Sequence, residues 1–175
     1  MADILPEKWM KGVAVTTTIL AVCASIAGSR GTNCASKTQV LTAMEGSKWA
    51  YYQAKSIKQN LAETQAKAFE VGMVGLQNTD QQERLAKELK IYASEIARYD
   101  KEKSQIMQEA VDLGKENALV ARRGSQFSLA VVFFQIGIML SSVSALVKRK
   151  ALWLLGSLFG IVGLVFLANG LFLFF

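Results

Sequence analysis

The chain has no histidine, one proline and two cysteines in 175 residues. Without imidazole, histidine-based general-base triads, most zinc sites and histidine ligation of haem are excluded. On one continuous helix Cys23 and Cys34 would stand about 16 Å apart, beyond disulfide reach, and two cysteines without histidine make no metal site. Gly114 and Lys115 resemble the end of a phosphate-binding loop, but Glu109 stands where that loop requires glycine. Charge is scarce as well: 19% of residues are charged and 51% are apolar, against about a quarter charged in an ordinary soluble domain. The apolar residues fall in long runs near both ends, which argues against a purely soluble fold.

Three such runs are expected to cross a membrane: residues 13–29, 127–147 and 151–175. None contains a formal charge, so a carrier driven by ionisable groups at depth is not expected. Residues 1–12 form a short leading segment with Lys8, Lys11 and an interfacial Trp9, and the first run is read as a retained signal anchor. Residues 148–150, Lys148, Arg149 and Lys150, allow only a tight membrane hairpin. Short basic loops are held in the cytoplasm, which places the N-terminus there too and residues 30–126 outside. Arg30, Arg122 and Arg123 lie on that outer side and oppose the rule, although it is weak for segments of such length. Within the spans, Thr17, Ala21, Ser25 and Ser29, then Gly137, Ser141 and Ala145, and the GxxxG pair Gly156 and Gly160 with Gly163, form small-residue faces for close helix packing, within one chain or between copies. Gln135 and Asn169 are expected to make interhelical hydrogen bonds.

Residues 30–126 hold 27 of the 34 charged side chains. The sequence predicts two long helices folded back as an antiparallel coiled coil of about 60 Å, with its tip at residues 72–79. The second helix carries a heptad seam at Leu85, Leu89, Tyr92, Ile96, Tyr99, Lys103, Ile106, Ala110, Leu113, Asn117 and Val120, beginning at a capping box of Asp80 and Glu83. For the first helix the matching stripe is Val40, Ala43, Ser47, Ala50, Ala54, Ile57, Leu61, Thr64, Ala68 and Val71. That choice leaves Trp49 and Tyr52 outside the seam, on a face with Glu45, Ser56, Asn60 and Glu63. They are therefore expected to contact other copies, or else to lie over the partner helix or a cation such as Lys101. The linkers into the spans are placed at Gly31, Thr32 and Asn33 and at Gly124. Phe69, Val71, Met73, Val74 and Leu76 gather at the tip, as a plug or a docking point.

The run from Ser47 to Lys58, Ser-Lys-Trp-Ala-Tyr-Tyr-Gln-Ala-Lys-Ser-Ile-Lys, resembles the signature stretch of a family of small bacterial membrane proteins catalogued as domain of unknown function 4337. The order of parts, with Trp9 to Lys11 ahead of the first span and a membrane hairpin at the end, is similar to that family. The resemblance implies a bacterial inner-membrane protein and supplies no catalytic or ligand residues. The expected function is a non-enzymatic scaffold or accessory subunit without cofactor or metal, with an oligomeric channel as the alternative. The expected partners are the lipid bilayer, further copies of the chain and a larger membrane complex, with no nucleic acid. Trp49, Tyr52, Gly156 and Gly160 are the expected oligomer contacts.

Overall fold

The computed structural model describes residues 8–74 and 78–172, which form three helices and no strand. They are α1 (Lys8–Met73), α2 (Thr79–Val147) and α3 (Lys150–Phe172). All three are long and apolar enough to cross a membrane. The sequence predicts breaks at residues 31–33 of α1 and at Gly124 of α2; both helices instead run through without interruption. These glycines serve packing. A β-carbon on Gly31 would lie 3.5 Å from Phe127 Cβ, and one on Gly124 would lie 3.2 Å from Cys34 Cβ.

Both ends of α2 have a chemical cause. At its start the Asp80 N–H donates to Asn78 Oδ1 at 3.1 Å, and the Gln82 N–H donates to the Asn78 carbonyl at 3.2 Å. Asn78 is thus the N-cap, where the sequence had suggested an Asp80 and Glu83 box. At the other end Lys148 takes a left-handed φ of 56°. The Arg149 N–H reaches back to the Ser144 carbonyl at 3.2 Å, closing a Schellman turn. Only Lys148 and Arg149 separate α2 from α3. The tip residues 75–77, including Leu76, lie outside the described residues.

The chain divides into two compact units, the first from Met1–Val40 and Asn117–Phe175, the second Leu41–Glu116. In the first, three helical segments bury faces of heptad spacing: Val13, Leu20 and Ala27 on α1, and Phe127, Ala130, Phe134, Gly137, Ser141 and Ser144 on α2. Alternating steps of three and four keep a face turned toward its neighbour. The α3 face is made of Gly156, Gly160, Gly163, Asn169 and Gly170. Large side chains on α1 and α2 fill the space those glycines leave. Leu20 lies against Gly160, Phe134 against Gly163 and Phe127 against Gly170, while the Gly137 carbonyl approaches Gly156. Trp153 rests on Gly12 and donates its indole N–H to Thr16 Oγ1 at 3.0 Å. Leu20, Ala27, Ala130 and Phe134 form the centre of this unit.

In the second unit the contacts set the direction of the helices. From Glu45 beside Gly114, through Lys48 with Glu109 and Lys55 with Glu102, to Phe69 stacked on Tyr92, partners recede along α2 as α1 advances. The two helices therefore run antiparallel here.

Two substitutions separate packing glycines from merely helical ones. A β-carbon at Gly163 would come within 2.7 Å of Phe134 Cδ1, and one at Gly156 within 2.8 Å of the Gly137 carbonyl oxygen, whereas Gly46 has nothing within 4 Å. Gly163→Ala or Gly156→Ala is expected to destabilise by about 1–3 kcal/mol through overpacking. Gly46→Ala is expected to stabilise by roughly 0.5–1 kcal/mol by restricting the unfolded chain. Thermal unfolding in mild detergent, followed by circular dichroism, should show opposite shifts in Tm.

Candidate interaction surfaces

In the second unit, the α2 face turned to α1 is the heptad read from sequence: Leu85, Leu89, Tyr92, Ile96, Tyr99 and Lys103 are half-buried, and Ile106 and Ala110 are buried. The α1 face is the opposite of the one expected. Leu41 and Ala62 are buried, and Glu45, Lys48, Trp49, Tyr52, Lys55, Ser56, Gln59, Glu63 and Phe69 are half-buried. The stripe from Val40 to Val71 assigned to the seam is exposed throughout, with Ile57 at 68% and Leu61 at 58%.

The face that packs combines the large side chains of Leu41, Trp49, Tyr52 and Phe69 with polar pairs across the two helices. Lys55 Nζ meets Glu102 Oε2 at 2.6 Å, Lys48 pairs with Glu109, and Lys103 Nζ donates to Gln59 Oε1 at 2.9 Å. Tyr side chains supply the apolar body between these charges. Lys55 Nζ sits 5.3 Å from the Tyr51 ring and 5.5 Å from the Tyr99 ring, and Lys103 Nζ sits 5.3 Å from the Tyr52 ring. Lysine stems cover apolar surface while their ammonium groups find carboxylates or aromatic faces.

Trp49 and Tyr52 therefore meet each other and their own chain. Their rings make an edge contact at 5.9 Å, and Trp49 Nε1 donates to Glu45 Oε1 at 3.4 Å. The cation over Tyr52 is Lys103, not Lys101. Gly156 and Gly160 are likewise turned toward Gly137, Ser141 and Leu20 of the same chain. At the tip Phe69 stacks on Tyr92 at 5.6 Å, while Val71 and Val74 are exposed.

The surfaces left open are different ones. On α1 the exposed heptad stripe continues from Val40 to Val71. On α2 the apolar span exposes Ser128, Val132, Gln135, Met139, Ser142 and Leu146, again at steps of four and three. Asn169 forms an interhelical bond as expected, donating through Nδ2 to Gln126 Oε1 at 3.0 Å. Gln135 does not: it is exposed, with no hydrogen bond among the described residues. Of the small stripe on α1, Ala21, Ser25 and Ser29 also face outward, with Thr17 half-buried. Among the described residues, no three His, Cys, Asp or Glu side chains gather to hold a metal. Cys23 and Cys34 are free thiols on the same uninterrupted helix.

Charge pairing within the second unit is tied to pH. The Lys55 ammonium holds the Glu102 carboxylate below its ordinary range, and Glu102 in turn raises Lys55 above the ordinary lysine value. Gln108 and Lys115 lower Asp112 in the same way. A lowered carboxylate contributes stability above its unfolded pKa and loses it as pH falls through the folded one. A raised lysine contributes below its unfolded pKa and loses it as pH rises through the folded one. Between about pH 5 and 10 the pair contributes in full. Glu102→Gln is expected to lower Tm at neutral pH. Tm measured against pH should show the gap from the parent closing below the ordinary carboxylate value of 4.5.

No curated protein and no solved structure matches the chain. One family model does, over residues 9–173, and it bears the description "Domain of unknown function (DUF4337)". With that match covering both units, the three helices and the aromatic run from Ser47 to Lys58, the chain belongs to the DUF4337 family.

Proposed function

We propose that the protein is a non-enzymatic scaffold or accessory subunit of the bacterial inner membrane that self-associates through the exposed stripe of α1. The single observation that carries this reading is that stripe, Val40, Ala43, Ser47, Ala50, Ala54, Ile57, Leu61, Thr64, Ala68 and Val71, exposed over more than four heptads. One continuous helix thus carries a mixed polar and aromatic face that its own chain covers and a more regularly apolar face that it does not. A heptad repeat is complementary to a second copy of itself, and its alanines and serine allow close approach. The flanking positions Gln53, Lys58, Asn60, Gln65 and Lys67 set no like charges opposite each other in a parallel pair. Two copies anchored in one bilayer would be parallel.

The apolar unit supports the same reading from inside the membrane. Ser128, Gln135 and Ser142 lie on an exposed α2 stripe, and a glutamine amide in hydrocarbon is satisfied by an amide on another helix. The charge rule favours the basic turn at Lys148 and Arg149, with Lys11, on the cytoplasmic side and residues 30–126 in the periplasm.

Light scattering of the purified protein in mild detergent is expected to report an oligomer. Ile57→Glu combined with Leu61→Glu should return the mass of one chain with helicity retained, since both side chains point away from the rest of their unit. A single-chain mass for the parent would overturn the proposal. For topology, Asn78→Cys in a chain lacking Cys23 and Cys34 is expected to react with an impermeant maleimide once the outer membrane is opened. Labelling only after the inner membrane is breached would reverse the orientation.

A further inference from the structure

Every charged side chain among residues 8–40 and 117–172 is a lysine or arginine; these stretches hold no aspartate or glutamate. The cations lie in two groups at opposite ends of the apolar helices. One is around the turn at Lys148 and Arg149, with Lys11. The other comprises Arg30, Lys37, Arg122 and Arg123, and it opposes the charge rule used to orient the chain.

That second group borders an open cleft of about 290 Å³ lined by Arg30, Asn33 and Lys37 of α1, Arg123 and Phe127 of α2, and Leu171 of α3. All three helices of the apolar unit contribute. Among the described residues no carboxylate lines the cleft, and neither Arg30 nor Arg123 makes an ion pair or hydrogen bond. Phe127 is buried, its ring lying where a β-carbon on Gly170 would come within 2.8 Å of Cε1, and Leu171 beside it is exposed. The cleft therefore brings guanidinium groups and the Asn33 amide together with the exposed apolar side chain of Leu171.

We propose that this cleft binds an anionic phospholipid, with the phosphate held by Arg30 and Arg123 and the start of an acyl chain laid along Leu171. Arginine matches a phosphate through two parallel N–H donors, which a lone ammonium cannot do. Basic pockets between membrane helices at headgroup level take lipid phosphates in this way. A free phosphate would use only the arginines and leave Leu171, which is 47% exposed, facing water; that exposed apolar side chain beside the arginines favours the lipid. The proposal depends on the membrane placement of the apolar unit and not on self-association.

The test is titration of the delipidated full-length protein in mild detergent with phosphatidylglycerol or phosphatidylcholine of the same chains, with bound lipid counted by native mass spectrometry. Phosphatidylglycerol is expected to saturate at one tight molecule per chain, with phosphatidylcholine weaker and millimolar inorganic phosphate unable to displace it. Near a membrane surface each cation is worth about 1 kcal/mol, so Arg30→Gln or Arg123→Gln should weaken binding about 5-fold and the double variant about 30-fold. Arg122→Gln removes an equal charge that does not line the cleft and should leave the affinity unchanged. Equal binding of the two lipids, displacement by inorganic phosphate, or a loss in Arg122→Gln matching that in Arg123→Gln would overturn the assignment. If the double variant fails to fold, the single variants carry the same comparison.

Discussion

The apolar unit depends on how closely α2 and α3 approach where Gly137 faces Gly156. With backbone opposing backbone there, the contact leaves no volume for a side chain, and the larger groups must be supplied by the neighbours: Leu20 from α1, Phe134 and Phe127 from α2. Between helices in an apolar solvent the hydrophobic effect does little, and there association would fall to this kind of fit and to a few polar contacts. Asn169 with Gln126 and Trp153 with Thr16 are contacts of that kind. The glycines of α3 are better understood as one surface than as separate motifs.

The second unit is held by different forces. Its inner face mixes lysines, carboxylates, tyrosines and alanines, and much of its specificity comes from ion pairs between α1 and α2. Such pairs are individually weak when exposed to solvent. Their arrangement still selects one register, because sliding one helix by a turn would bring Lys55 away from Glu102 and Lys48 away from Glu109 together. The chain thus contains one unit whose recognition is steric and another whose recognition is electrostatic.

This division also explains which parts were legible in the sequence. The three apolar runs, the α2 heptad and the break near residues 74–78 could be read because each produces a strong one-dimensional signal. The α1 face could not be read by counting apolar residues. Its exposed side, with Val40, Ile57, Leu61 and Val71, is more regular in hydrophobicity than the side that packs. The missed signal was charge complementarity between the two helices in antiparallel order, which needs both strands of the pairing considered at once. Gly31 and Gly124 are ambiguous in sequence for a related reason: a helix-weakening residue and a close-packing residue have the same letter, and only the neighbour, Phe127 or Cys34, distinguishes them. Gly156 and Gly160 were recognised as contact residues, but a spacing alone does not say which helix makes the contact.

The joint between α2 and α3 has a consequence for how this sequence can vary. Two residues, one already in the left-handed region, leave no slack to absorb a change in length. A single residue gained or lost there would turn α3 by about 100° about its axis. Gly156, Gly160, Gly163 and Gly170 would all leave their partners in one step, bringing branched and aromatic side chains against Phe134 and Leu20. Substitutions in this turn can be accommodated singly, but its length is bound to the whole glycine face.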